Sequence, residues 1–232
     1  MSLVSLLLIV VNIGVSLIGF RNVQFFNRYA FSVDGIIRQR QCDRFITSIF
    51  LHVDYVHLFF NMFSFYSFAI YIEKFTGGLF LLLLFFGSAL GGDFLALFIH
   101  RRHPRYRAAG ASGAISGVIF ASVLLFPEGR IMVFPVPIGL PTWLFAIIFV
   151  LISVYGIGKQ AGNIGHEAHL GGALTGILIT GLFFPAAVLS NILLTLLLIL
   201  PVAIFLWIIV KNPGKIHLRY QQKENREEKE GE

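Results

Sequence analysis

Seven apolar runs constrain this chain more than any other feature of it. They cover 3–20, 56–73, 78–100, 112–126, 142–158, 169–184 and 187–210. Their lengths, roughly 16–24 residues, are those of a helix crossing a hydrocarbon core about 30 Å thick. A backbone exposed to lipid must satisfy its own hydrogen bonds, so each run is expected to be an α-helix. Pro185 and the length of the stretch 169–210 divide the last apolar region in two. Only 13% of the 232 residues are charged and 56% are hydrophobic, too little polar surface for a soluble domain of this size. The fold class is therefore all-α, a polytopic helical bundle and an integral multi-pass membrane protein. Residues 1–210 form one domain without an internal repeat, followed by a polar, charged tail at 211–232. The first run has no basic segment before it and no small-residue cleavage site, so it reads as a retained span and not a signal peptide.

The segment 21–55 is too polar to span but rich in Phe, Ile and Leu. It is expected to lie partly in the membrane interface, with Arg and Asp outward and aromatics inward. Cys42 is the one cysteine, so no internal disulfide forms. The formal charge of +6 bears on topology and on anionic lipid, since no basic stripe sits on a soluble domain. Membrane lipids are thus expected partners and nucleic acid is not.

Polar groups inside spans are expensive and suggest function. Three clusters qualify. His57 and Asn61 open the second span four residues apart, which puts them on one helix face; the plain alternative is interhelical hydrogen bonding. Gly110-Ala111-Ser112-Gly113, continued to Gly117, opens the fourth span. Small residues there permit close helix packing, which is the plain reading. Ser112 also sits where free backbone N–H groups and the positive end of the helix dipole gather, a place to stabilise an oxyanion. His166-Glu167-Ala168-His169 opens the sixth span and leads into a second small-residue ladder, Gly172 and Gly176. Packed against Gly113 and Gly117, that ladder would bring Ser112 and His169 to one depth. Spans alternate in direction, so the starts of the second, fourth and sixth lie on one side, and His57, Asn61, Ser112 and His169 are expected together.

That constellation suits acyl transfer. Neutral His169 would take the Ser112 proton and return it to the leaving amine. No acid is placed as a third member: Glu167, two residues from His169, should point elsewhere. A dyad avoids the desolvation cost of a buried carboxylate. His57 and Asn61, with backbone N–H groups at Ala111 and Ser112, would hold the oxyanion. The expected reaction is serine-type endopeptidase cleavage in or near transmembrane segments of protein substrates, with no metal and no cofactor. A zinc protease would want His-Glu-x-x-His, and His166 to His169 is one residue short. A transporter would want paired charges around a midplane site, which the spans lack.

These residues resemble the rhomboid family of intramembrane serine proteases. The resemblance runs from about Arg44 to Gly176. It rests on His57 with Asn61, on Gly110-Ala-Ser112-Gly113, and on Ala168-His169-Leu-Gly-Gly172, in this order on separate spans. Arg44, thirteen residues before His57, and Glu73, at the far end of the second span, match an arginine and an acid of the family and are expected to support the structure. The resemblance implies a six-helix core with the seventh span added after it, a Ser112–His169 dyad, a water-filled cavity and, for a bacterial member, the plasma (inner) membrane. The family's Trp-Arg pair reads Asp43-Arg44 here. Many members carry an aromatic ring one turn after the nucleophile that packs on the catalytic histidine; this chain has Ser116, so another side chain must orient His169. Of 18 Lys and Arg residues, only Lys74 and Arg130 fall on the side of the N-terminus. The positive-inside rule then places the Ser112 side in the cytoplasm, whereas the resemblance implies the opposite for a bacterial member.

Overall fold

A computed structural model describes residues 2–132, 139–159 and 165–211. Beyond Lys211, the polar tail expected at 211–232 lies outside the described residues. Helices in chain order are α1 (Leu3–Arg21), α2 (Val23–Tyr29), α3 (Val33–Ile37), α4 (Arg44–Thr47), α5 (Tyr55–Thr76), α6 (Gly78–His100), α7 (Ser112–Leu125), α8 (Thr142–Lys159), α9 (His166–Phe183), α10 (Pro185–Ser190) and α11 (Ile192–Lys211). The first six long ones follow the first six apolar runs to within a few residues, and the last run, 187–210, begins in α10 and continues as α11. Pro185 sits in the first turn of α10, the short helix that separates the last two. Two antiparallel pairs complete the structure: β1 (Phe31–Ser32) with β2 (Arg107–Ala108), and β3 (Arg130–Met132) with β4 (Gly139–Pro141).

Among the described residues, α1, α5, α6 and α11 are each long and apolar enough to cross a membrane. The expected span at 112–126 is shorter: α7 has 14 residues, about 21 Å of rise against a core of about 30 Å. It is buried on every side from Gly113 to Leu124, as expected of a helix apolar all round and enclosed by protein. Its neighbours carry the exposed apolar side chains that meet the lipid instead.

The core is built by α9 lying against α6 and α7. A methyl group added at Gly172 would fall inside the Gly113 carbonyl oxygen, and one at Gly176 would stand 2.8 Å from the Gly117 carbonyl carbon. This is the ladder expected from the sequence. A second ladder faces α6: a methyl at Gly92 would stand 2.6 Å from the Ala168 oxygen, and one at Gly171 would stand 2.8 Å from the Gly92 Cα. Backbones approach this closely only where both sides lack bulk.

Glu73 fastens α1 to α5. Its carboxylate accepts the Val4 N–H at 3.0 Å, the Ser5 N–H at 2.8 Å and the Ser5 hydroxyl at 2.5 Å. It thereby supplies the anion and the acceptors that the start of α1 needs. The segment 22–54 forms a lobe pinned to the loop after α6 by the β1–β2 pairing, with Phe31, Val33, Ile36 and Phe45 buried beside Ala96. Arg44 departs from the outward expectation for arginines: it is only 6% exposed. Its Nη1 donates to the carbonyls of Asn27 (3.0 Å) and Ala30, and Nε donates to Gln41 Oε1 at 2.6 Å. With Thr47 Oγ1 donating to Tyr29 O at 2.8 Å, it satisfies carbonyls at the end of α2.

His52 joins α1 to the approach of α5. Ser16 Oγ donates to Phe50 O and accepts from His52 Nδ1–H, both at 2.9 Å. Burial, with the nearby His57 adding to it, lowers the His52 pKa from 6.5 to about 3.

Two outcomes are expected. Gly172→Ala should lower the midpoint of thermal unfolding in detergent, by the equivalent of about 1–3 kcal/mol or more. Gly14→Ala, with no atom within 4 Å of the added methyl, should leave it unchanged. As for pH, His52 stays neutral in the fold while the unfolded chain takes up its proton below pH 6.5. Its contribution is therefore complete above pH 6.5 and declines as pH falls toward 3, by about 1.4 kcal/mol per pH unit. Unfolding curves of His52→Gln should be flatter over that window than those of the unaltered chain.

Candidate active site

Each expected residue can be placed by the element that carries it. Asp54 caps α5, its Oδ1 accepting the His57 N–H at 2.7 Å, which sets His57 at the third helical position and Asn61 one turn on. Asn61 Nδ2 donates to the His57 carbonyl at 2.9 Å; an amide carries two hydrogens, so one remains for a ligand. The His57 ring meets His52 edge to face, centroids 5.1 Å apart. His52 is thus a support, held in turn by Ser16 of α1. The sequence shows His52 five residues before His57 but not the Ser16 bond, because that contact crosses between elements.

Gly110 has φ +145°, a conformation side chains avoid. A methyl there would also stand 2.8 Å from His57 Cε1, 3.1 Å from His57 Nε2 and 3.8 Å from Ser112 Oγ. Gly110 therefore lets His57 lie beside the turn that presents Ser112. The Gly110 N–H donates to Ser48 O at 3.1 Å, so it belongs to the scaffold. Ala111 is fully buried at the N-cap and Ser112 is the first residue of α7. First-turn N–H groups have no acceptor within their own helix.

Ser112 and His169 are brought together through their neighbours. A methyl on Gly113 would be 3.2 Å from the Ala168 oxygen and 3.6 Å from the Ala168 Cβ, so the turn after Ser112 lies on the turn before His169. Ser112 and His169 share no hydrogen bond in this structure. Such bonds are often long before substrate binds and tighten in the complex.

Glu167 does point away from His169. Its Oε1 lies 2.9 Å from His100 Nε2 of α6, and both side chains are buried. The His100 ring stacks on Tyr106, centroids 3.6 Å apart and 9° from parallel. The pair ties the first turn of α9 to the end of α6, about two turns beyond the glycine contact at Gly92.

Ser116 donates to the Ser112 carbonyl at 2.7 Å and offers no ring. Phe149 of α8 supplies a ring instead: it lies 5.6 Å from the His169 ring, tilted by 31°. His166 meets the other side edge to face at 6.0 Å. Among the described residues no hydrogen bond holds the imidazole, so these two rings set its orientation. Phe149 was not identified from the sequence, where it is one of 25 phenylalanines with nothing local to distinguish it.

Arg44 and Glu73 lie in the scaffold, as do Gly117, Gly172 and Gly176; none joins the cluster around Ser112.

Comparison with known proteins agrees with this geometry. The family model described as the rhomboid domain matches residues 39–186, more than half of the chain. The chain is 31% identical over 169 residues to RHOMBOID-like protein 12, mitochondrial, of Arabidopsis thaliana, covering 66% of this chain and 49% of that protein. It is 30% identical over 172 residues to Rhomboid protease GluP of Bacillus subtilis, covering 74% and 31%. Rhomboid protein 1, mitochondrial, of Saccharomyces cerevisiae is 29% identical over 140 residues, covering 57% and 39%. The chain thus spans half or less of the length of these curated relatives. A helical membrane bundle that matches the family model through the turns carrying His57, Ser112 and His169 belongs to the rhomboid family, a family of intramembrane proteases.

Proposed function

We propose that this chain is a serine endopeptidase that cleaves peptide bonds in or near the transmembrane segments of membrane proteins. Ser112 would act as nucleophile and His169 as its base. The observation that carries the reading is the packing of the Ser112–Gly113 turn on the Ala168–His169 turn, with His57 across Gly110.

The chemistry follows from that placement. His169, neutral and turned by Phe149, takes the hydroxyl proton as Ser112 Oγ attacks the scissile carbonyl carbon. The carbonyl oxygen becomes an oxyanion facing the Ser112 N–H and the side chains of His57 and Asn61. Collapse breaks the C–N bond, and His169 returns its proton to the leaving amine. A water, deprotonated by the same imidazole, then releases the acyl group from Ser112. Because α7 rises about 21 Å in a core of about 30 Å, this takes place below the membrane surface, and water must enter from the side on which Ser112 lies. An extended backbone is needed at the nucleophile, so a substrate helix has to unwind locally. Segments with small or helix-breaking residues fit that requirement.

The substrates are membrane proteins. The bacterial plasma membrane implied by the family resemblance draws no support from relatives of which several are named mitochondrial. The localisation that stands is an integral membrane protein.

A fluorescent fluorophosphonate labels activated serines without a known substrate. The solubilised chain should label, and Ser112→Ala and His169→Ala should not. Labelling that survives Ser112→Ala would identify another nucleophile, and a folded chain that never labels would point to a binding protein. Asn61→Ala should slow cleavage of a model transmembrane substrate by up to about 100-fold, with the midpoint of unfolding unchanged. Phe149→Leu should slow labelling, and Phe149→Tyr should restore it. Equal loss in both would mean the ring is not what orients His169.

A further inference from the structure

Arg105 and Arg107 lie in the loop after α6 and have no part in the chemistry above. They line a cavity of about 350 Å³ together with Arg44, Ser32, Asp34 and Gln39. The cavity lies between the lobe 22–54 and the loop after α6, two segments held together by the Ser32–Arg107 pairing of β1 and β2. Its charged lining residues are these three arginines and Asp34. The Asp34 carboxylate is already occupied by Arg38 at 3.4 Å and by Gln39 Nε2 at 3.0 Å.

The donors left over matter more than the count. Arg44 is 6% exposed, and its bonds engage Nε and Nη1 only, leaving Nη2 without a partner among the described residues. Arg107 donates through Nη1 to Asn27 Oδ1 at 2.7 Å, so its Nε and Nη2 have none there. Burial and the charges of Arg28 and Arg107 lower the Arg44 pKa from its ordinary value, with Asp43 partly opposing them. A carbonyl cannot relieve that; a tetrahedral oxyanion taking forked hydrogen bonds from two guanidinium groups can.

We propose that this cavity binds a phosphate group through Arg44, Arg105 and Arg107, and that the group is the headgroup phosphate of an anionic phospholipid. The source follows from depth. The cavity is lined by Pro104, Arg105 and Arg107, a few residues after His100, where α6 ends, so it sits at the level where headgroups begin. Basic pockets at that level are where anionic lipids are recognised. The site is separate from Ser112 and does not depend on the protease reading.

Full-length chain in detergent would be titrated with short-chain phosphatidylglycerol, with short-chain phosphatidylcholine, and with inorganic phosphate against chloride at equal ionic strength, following thermal stabilisation. Phosphatidylglycerol should stabilise the chain. Arg105→Gln/Arg107→Gln should weaken its apparent affinity roughly tenfold or more. Arg101→Gln/Arg102→Gln, the same charge change outside the cavity lining, should leave it within twofold. Asp34→Asn should shift affinity the other way, toward tighter binding, which guards against a double variant that merely folds poorly. Equal losses in the two arginine pairs, or no tightening in Asp34→Asn, would reduce the effect to general surface charge and overturn the proposal. Stabilisation by inorganic phosphate equal to that by phosphatidylglycerol would overturn the lipid as source and leave a phosphate site.

Discussion

The structure depends on the backbone of α9 lying directly against the backbones of α6 and α7. In lipid no hydrophobic force drives helices together, since the tails are as apolar as the side chains, so association rests on close van der Waals contact and interhelical polar contacts. Gly113, Gly117, Gly172 and Gly176 provide one such seam, and Gly91, Gly92 and Gly171 the other. A seam of this kind specifies axial register as well as affinity, because the carbonyl of Gly113 fits only where Gly172 leaves room. Register in turn sets the depth of the first turn of α9 relative to the first turn of α7. The relation between Ser112 and His169 is thus set by two residues that carry no side chain, one step and one turn away.

The same logic explains how a buried imidazole is held without a carboxylate. An acid beside His169 would have to be desolvated, and the nearby acid is used elsewhere: Glu167 meets His100 in a buried pair that fastens α9 to α6. A pair of this kind contributes little net stability, but loss of one partner is costly, which suits a part whose task is position. The imidazole itself is turned by Phe149 and His166. Since Phe149 belongs to α8, the orientation of His169 depends on the seat of α8 against α7 and α9. With a ring one turn after Ser112, orientation would depend on α7 alone.

The helices and the cluster around Ser112 were legible in the sequence for a common reason. Apolar run length, glycine spacing and position at a helix start are local properties, and parity of the spans converts them into a shared side. What was not legible depends on pairs far apart in the chain. Gly91 and Gly92 are two more glycines in an apolar run until Thr175 and Ala168 of α9 are seen against them. Phe149 and His52 gain meaning only from the rings they touch. Arg44 turns inward because the end of α2 needs donors, a demand created by a helix too short to be visible in the hydropathy pattern. The shortness of α7 was hidden as well, since the apolar run 112–126 reads as a span whether it meets lipid or protein; burial on every side, from Gly113 to Leu124, distinguishes the two.

The arginines show the same difference between counting and placing. The positive-inside rule treats each Lys or Arg near a span as a topological weight, and by that count the Ser112 side carries nearly all of them. In the fold, several have another reason to be present. Arg28 pairs with Asp43 at 2.7 Å, Arg38 with Asp34 at 3.4 Å, Arg44 closes the end of α2, and Arg107 bonds Asn27 from the β2 strand. Asp43, where the family carries a tryptophan, is the partner that keeps Arg28 in place. A lobe fastened by cations will be rich in cations on whichever side of the membrane it lies. The excess on the Ser112 side therefore follows from how the lobe is built, and it carries less weight about orientation than the same number of unengaged lysines would.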